Sequence, residues 1–266
     1  MGERPQAVRG FDPGVPSIAR MYDYYLGGKD NYEADRRRAE EAMEADPTLL
    51  TTINGNRSFL GRAVRYMASQ GIDQFLDIGT GLPTQQNVHQ IAQAVNPGAR
   101  VVYVDYDKQV VAHGRALLAG SDTTRMIHAD VREPRNILEH PEIKLLDFDR
   151  PVGLLLVAVL HFISDEDDPP GIMAELRAAL PSGSHLALTH ASADGIPDVV
   201  ARVVEVYRRT SAPGTPRTHA QVTGLFGDFE LAEPGLVWAP LWRPEHPVSP
   251  EEAKRTWFYG GIGRKN

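Results

Sequence analysis

One heptapeptide constrains this chain more than any other: Phe75–Gly81, which reads Phe-Leu-Asp-Ile-Gly-Thr-Gly. A short apolar run ends in an acid and a Gly-x-Gly, as a buried parallel strand does when it empties into a glycine-rich turn. Val88, Ile91, Ala92 and Val95 then recur at helical spacing, which predicts a helix over 84–95 with Thr84 as its N-cap. Glycine at 79 and 81 leaves the backbone open to close approach by a ligand. A helix N-terminus beyond the turn would suit a polar or anionic group. The dinucleotide pattern Gly-x-Gly-x-x-Gly is not met, because position 84 is Thr. Asp77, two residues before the first glycine, would repel a pyrophosphate and accept an ammonium or a ribose. For these seven residues alone, a buried strand with a capped turn and no ligand is the alternative.

Beyond residue 72, strands and helices alternate. Strands are expected at 73–78, 100–105, 125–128, 152–160 and 184–189, and helices at 84–95, 108–119, 170–180 and 197–210. That alternation predicts an α/β fold with a parallel sheet and right-handed crossovers. The 152–160 run is apolar on both faces, which places it centrally. Segments 229–232 and 236–238, split by Glu233-Pro234-Gly235, predict a hairpin, and 259–266 a glycine-rich tail.

The region before residue 70 reads as helical, after a loose lead-in over 1–15. A first helix carries Ile18, Met21, Tyr22 and Tyr25 and stops at Gly27-Gly28, and a second runs over 32–45 with Asp30 as its cap. A longer helix over 48–69 shows an apolar stripe of Leu49, Ile53, Leu60, Val64 and Met67, and Arg57 falls on that stripe. A charge on a buried face is costly unless paired. Arg57 therefore reaches past the rim to water, pairs with a protein carboxylate, or meets a ligand carboxylate.

The chain has 266 residues, 42% of them hydrophobic, enough for a sizeable core, and a net charge of −7 that disfavours general nucleic-acid or anionic-membrane partners. There is no cysteine, which excludes thiol nucleophiles and Cys-ligated metals. Residues 1–16 show no secretory h-region, and no apolar run approaches the ~20 residues of a membrane helix. The expectation is a soluble cytoplasmic protein. The nine histidines show no metal-binding spacing, and there is no Gly-x-Ser-x-Gly elbow, so no metal site and no serine hydrolase is expected.

Ligands of open α/β sheets bind beyond the carboxyl ends of the strands. Successive strand ends here carry Asp77, Asp105, Asp130 and His161. Asp105, roughly 24 residues past Gly81, is placed to accept both hydroxyls of a ribose. Tyr106 could lie against a purine ring and Asp130 could accept from an exocyclic amine. Each acid alone reads equally as a helix cap or a solvated loop residue.

The acid-x-Gly-x-Gly turn, the second-strand acid and the Ala129-Asp130 pair resemble class I S-adenosylmethionine-dependent methyltransferases. Ala19-Arg-Met-Tyr-Asp-Tyr-Tyr-Leu-Gly-Gly-Lys-Asp-Asn31 is similar to the opening signature of an actinobacterial methyltransferase family once known only as a domain of unknown function. Asn56-Arg57-x-Phe59-Leu60, Ala158-Val-Leu-His-Phe-Ile163, Leu188-Thr-His190 and Tyr259-Gly-Gly-Ile-Gly-Arg264 match as well, so the likeness runs nearly end to end.

The resemblance implies a Rossmann-like, seven-stranded, mostly parallel sheet over 71–266 and a helical cover over 1–70. It implies S-adenosylmethionine as cofactor. Asp77, Gly79, Thr80 and Gly81 would hold its methionine part, Asp105 its ribose, and Tyr106, Asp130 and Val131 its adenine. Arg57 would meet its carboxylate, Tyr22 would face the sulfonium, and Ala158 would stand at the strand end. Pro83 departs from the family, standing where many class I enzymes have a third glycine. A methyl sulfonium is already activated, so a base is needed only if the acceptor carries a proton at its reacting atom. His161 is the first candidate base and His190 the second; a strand-end histidine is also commonly structural. The acceptor is expected to be a small molecule, and the Asn/Asp-Pro-Pro-Tyr run of nucleic-acid N-methylation is absent. Two alternatives stand beside methyl transfer: a non-catalytic protein that binds the same cofactor, and an NAD(P)-binding oxidoreductase of the same fold.

Overall fold

The computed structural model describes residues 12–83 and 86–266; the expectations for residues 1–11 and for Thr84 lie outside them. Three helices come first: α1 (Ile18–Tyr25), α2 (Glu33–Ala45) and α3 (Leu49–Ser69). The alternating part follows with β1 (Gln74–Ile78), α4 (Val88–Val95), β2 (Arg100–Asp105), α5 (Lys108–Leu117), β3 (Thr124–His128), α6 (Pro134–Leu138), β4 (Gly153–Val157), α7 (Pro169–Ala178) and β5 (His185–Ala191). The chain ends with α8 (Pro197–Tyr207), α9 (His219–Gly224), β6 (Glu230–Leu231), β7 (Val237–Trp238), α10 (Pro250–Arg255) and β8 (Phe258–Arg264).

Strands β3-β2-β1-β4-β5 are parallel and lie in that order; β8 pairs antiparallel with β5, and β6 and β7 both pair with β8. The chain leaves β1 in one direction for β2 and β3, then returns to β1's other side for β4. A crevice opens at that reversal, outside the carboxyl ends of β1 and β4.

Alternation along each strand divides the core into two layers. Phe75, Val101, Leu155, Ala187 and Ile262 face one layer, shared with Met21 of α1, Ala39 of α2, and Phe59, Val64 and Met67 of α3. Leu76, Val102, Leu154 and Leu186 face the other, with Ile172 and Met173 of α7 and Val222 of α9. The N-terminal helices thus share one apolar core with the sheet. Their junction holds a buried ion pair: Arg20 Nε donates to Asp35 Oδ2 at 2.7 Å, and Asp35 also accepts from the Ser17 and Tyr32 amides at 2.9 and 2.8 Å.

Several expectations need correction. The sheet has eight strands, not seven. The supposed glycine-rich tail is β8, buried over Phe258–Gly263. The supposed hairpin is two short strands that pair with β8 at separate registers, Glu230 opposite Arg264 and Val237 opposite Gly260. The first crossover helix starts at Val88, where the Gln90 side chain accepts the Asn87 amide at 2.8 Å. Strand β4 stops at Val157 because Ala158 turns to φ +60. Asp30 does not cap α2; the Tyr32 amide goes to Asp35. His190 lies inside β5, not past it.

The glycines of β8 explain the first error. A Cβ on Gly260 would stand 2.9 Å from the Phe59 ring, and one on Gly263 would stand 2.8 Å from Phe229 Cβ. Both faces of this strand are already filled by neighbouring rings, so the strand carries little apolar patterning of its own. Gly260→Ala is therefore expected to lower the unfolding free energy by about 1–3 kcal/mol through overpacking. Gly98→Ala, at an exposed turn, is expected to stay within about 0.5 kcal/mol. Urea unfolding followed by circular dichroism measures both, and equal effects would refute the packing argument.

Candidate active site

A cavity of about 330 Å³ opens at the crevice, within the size range of small-molecule sites. Its floor is the β1 turn, Asp77–Leu82, and the ends of β2 and β4; α1 and α3 wall it, and Ser211–Pro213 close one side. Tyr22, Arg57, Asp77, Gly79, Thr80, Gly81, Asp105, Tyr106, Asp130, Val131 and Ala158 all line it, so eleven of the thirteen sequence-derived candidates converge on one space. His161 and His190 do not line it.

The turn holds its shape through β2. The Gly79 and Thr80 amides both donate to Val104 O, at 2.8 and 3.3 Å, and the Gly81 amide donates to Asp105 Oδ2 at 2.9 Å. Gly79 and Gly81 have φ of +73 and +69, where side chains are strained. Their roles differ. A Cβ at 79 would collide with Val159 Cγ2 at 2.4 Å, so this glycine serves chain packing; one at 81 meets nothing within 4 Å and would project into open space. No described residue of α4 lines the cavity.

Asp77 and Asp105 are both buried. Asp105 accepts the Gly81 and Asp107 amides, each at 2.9 Å. Burial still outweighs those bonds and raises its pKa to about 6. Burial likewise raises Asp77 to about 7, against a hydrogen bond from Thr80 and the charge of Arg57, while Asp105 pushes it further up. Two carboxylates lining a cavity with fewer donors than they can use fit a ligand that brings an ammonium and vicinal hydroxyls. Arg57, half-buried on α3, donates to Gln86 O at 3.0 Å and presents its charge to the same space. Asp130 differs. Burial raises its pKa, but Arg132 holds both oxygens at 3.0 Å from Nε and also donates its amide, and the net is a lowering.

Tyr22 is fixed by a polar chain that patterning did not predict. The Ala158 amide donates to Thr189 Oγ1 at 2.8 Å, Thr189 donates to Asn56 Oδ1 at 2.7 Å, and Asn56 Nδ2 donates to Tyr22 Oη at 2.8 Å. Burial raises the Tyr22 pKa. Asn56 was visible only as part of the Asn56-Arg57-x-Phe59-Leu60 likeness. Asp23, Asn56, Arg132, Phe162 and Ser211 also line the cavity and were missed. Gly27-Gly28-Lys29-Asp30 is a turn wrapped around Asp23, whose Oδ2 accepts the Asp30 amide at 2.9 Å.

The two histidines part company. His190 Nδ1 contacts Ala191 O at 2.7 Å, and its Nε2 accepts from Arg217 Nη1 at 3.0 Å. Burial lowers its pKa to about 4, so both ring nitrogens are committed and the ring is neutral. His161 is buried in the turn after β4 with Nδ1 lacking a partner, and burial, then His190 and Arg217, hold it well below the usual imidazole value. It lines a second cavity of about 40 Å³ that shares Ile18, Tyr22, Ala158 and Phe162 with the first. Among the described residues no cluster of three or more His, Asp or Glu could hold a metal ion. No described helix is long and apolar enough to cross a membrane.

Comparison with known proteins bears on this geometry. The S-adenosyl methyltransferase family profile matches residues 4–266. A methyltransferase candidate from Thermobifida fusca YX is 44% identical over 98% of this chain and 99% of its own, with a TM-score of 0.93. A DUF574 family protein from Streptomyces avermitilis MA-4680 is 41% identical over 96% of this chain and 99% of its own, with a TM-score of 0.91. The plantazolicin methyltransferase BpumL, solved with SAH, shares the fold at 12% identity, with a TM-score of 0.51 over 93% of this chain and 95% of its own. No curated protein matches the chain. On the near-complete profile match and the two close structures, the chain belongs to the S-adenosyl methyltransferase family, enzymes whose cofactor is S-adenosylmethionine.

Proposed function

We propose that the enzyme transfers the methyl group of S-adenosylmethionine to a small-molecule acceptor, with the 330 Å³ cavity as the cofactor site. The observation that carries this reading is the pair of buried, under-donated carboxylates, Asp77 and Asp105, at the reversal of the sheet. Asp77 and the turn Gly79-Thr80-Gly81 take the methionine part, with Arg57 opposite its carboxylate. Asp105 takes the ribose hydroxyls. Tyr106 and Val131 flank the adenine, and Asp130, already bound to Arg132, accepts its amine with the lone pairs left over. When bound, the cofactor supplies an electrophilic methyl group on a cationic sulfur. Tyr22 and Ala158 stand at the wall beside it, and α1 to α3 cover the site and exclude water. His161 takes the acceptor proton.

The rim favours a small acceptor. Asp105, Asp107, Asp130 and Asp167 all line the cavity, which works against a phosphate backbone. The comparisons give no support to an NAD(P) oxidoreductase, and the carboxylate at 77 opposes a pyrophosphate.

Isothermal titration with S-adenosylmethionine tests the reading. Asp105→Ala is expected to weaken binding by more than about 1.5 kcal/mol, the scale of hydrogen bonds to a charged group; unchanged affinity removes the ribose assignment. Arg57→Leu is expected to lose affinity with folding intact. If it unfolds while keeping affinity, Arg57 serves structure alone.

Affinity also carries a pH signature. With ligand-free pKa values of about 7 and about 6, both acids are partly protonated near neutrality. A ligand that donates to their ionised forms lowers those values, so binding releases protons and strengthens as pH rises. Between pH 5.5 and 7, where the ligand's amino group stays charged, affinity is expected to rise by more than about tenfold. A flat profile in that window would contradict the assignment of Asp77.

A further inference from the structure

The smaller cavity shares a wall with the larger one and is built differently. Tyr22, Phe162, Tyr207, Trp257 and Phe258 surround it, with Val203 of α8 closing it from the side. Phe162 and Tyr207 lie nearly parallel, 21° apart in plane with centroids at 6.0 Å. The Tyr207 hydroxyl is already engaged with Tyr25 at 3.1 Å. His161, whose buried Nδ1 has no partner, and Thr215 line the cavity as well and bring polar atoms to it. Two residues on the wall, Ala158 and Trp257, hold left-handed φ values of +60 and +39. Such outliers persist only where surrounding structure enforces them, and they gather at sites of function. The Ala158 outlier is held by Thr189, and Trp257 by Asp46 Oδ2 at 2.9 Å from its Nε1.

We infer that this second cavity receives the methyl acceptor, and that the acceptor is a single-ring aromatic compound whose hydroxyl meets His161. The inference rests on the methyl-transfer reading above and adds the acceptor's class and place. A space of about 40 Å³ is roughly three times what one water needs, so it takes one flat ring in place of a few waters and excludes a peptide or a fused system. The aromatic walls select a flat apolar body, and His161, with Thr215, supplies the polar contact. Its chemistry also narrows the nucleophile. Burial keeps this imidazole neutral and weakly basic, too weak to activate an aliphatic alcohol. An aromatic hydroxyl gives up its proton far more readily than an aliphatic one, at a pKa of about 10 for a free phenol, and that proton becomes strongly acidic as the oxygen is alkylated. The acceptor oxygen gains the methyl carbon, sulfur keeps the electron pair of the broken bond, and the hydroxyl proton passes to His161.

The test uses the full chain, with p-cresol and p-xylene as probes in the presence of S-adenosylhomocysteine. Saturation-transfer NMR and isothermal titration are expected to show p-cresol binding at least tenfold tighter than p-xylene. Val203→Phe, which fills the cavity from α8, is expected to weaken p-cresol at least tenfold while S-adenosylmethionine affinity stays within twofold. Val204→Phe, on the same wall, replaces it if that variant does not fold. His161→Phe is expected to erase the preference for p-cresol over p-xylene. If S-adenosylmethionine binds the wild type but p-cresol does not, or if filling the cavity leaves p-cresol unaffected, the acceptor proposal fails and the methyl-transfer reading survives. If S-adenosylmethionine itself does not bind, both fall.

Discussion

Two carboxylates sit at neighbouring strand ends with less hydrogen bonding than their burial demands, and the site is arranged to hold them there. Asp77 is fixed by the pairing of β1 with β2 on one side and β4 on the other. Asp105 is fixed by the amides of Gly81 and Asp107. Asp105 adds to the reluctance of Asp77 to ionise, and Asp107 to that of Asp105, on top of desolvation. Without ligand the folded state binds more protons here than an unfolded chain whose acids titrate near 3.8. The pair therefore costs more stability as pH rises from that value toward 7. The two-layer core supplies the stability that tolerates such a site, the usual relation between a strained centre and its scaffold.

The wall opposite the carboxylates is held by neutral groups. Ala158, Thr189, Asn56 and Tyr22 form one donor-to-acceptor series that crosses from β4 through β5 and α3 to α1. Each member satisfies the next, so the left-handed turn at Ala158 and the tyrosine at the cavity are set by the same bonds. On the other face of β5, buried Arg217 does comparable work. It donates to the carbonyls of Leu160 and Ile163, both at 2.9 Å, and to Asp165 at 2.6 Å, which pins the turn carrying His161. Arg217 also takes the one acceptor that His190 could offer, so of these two histidines His161 is the one with an unpartnered nitrogen.

The parallel half of the sheet was legible because each strand fills both faces with its own side chains, and β2 was placed to the residue. The cofactor-facing candidates were legible because they cluster at strand ends, the position where a polar residue has least structural excuse. What escaped notice depends on partners far away in sequence. Strand β8 looked like a tail because Phe59, Phe226 and Phe229 supply the bulk that its glycines leave out. The hairpin reading of 229–238 assumed neighbours in sequence pair, whereas both segments found β8. No local spacing marks Arg20 and Asp35 as an ion pair, which forms only when α1 and α2 close on each other. Asn56 and Thr189 are 133 residues apart, and no local pattern announces that one will bond the other. Thr84 lies outside the described residues; α4 begins at Val88, where Asn87 and Gln90 form its capping box.

The fold alone does not single this enzyme out, since BpumL shares it at 12% identity. The cradle made by the β1 turn and the β2 acid is what the sheet topology provides. The second wall is contributed by elements outside that topology: α1, α3, the C-terminal half of α8 and the segment 211–216. These are tied to one another, with the Ser211 amide on Pro16 O at 3.1 Å, the Thr215 amide on His161 O at 2.6 Å, and the Tyr25 and Tyr207 hydroxyls in contact. Since Tyr22 and Ile18 of α1 face both cavities, the short helix held by the Arg20–Asp35 pair borders both of them. A change in that ion pair therefore reaches both spaces at once, whereas a change in Asp105 reaches only the first and one in Val203 only the second. The N-terminal helices α1 and α3, with α8 and segment 211–216, thus shape the two spaces.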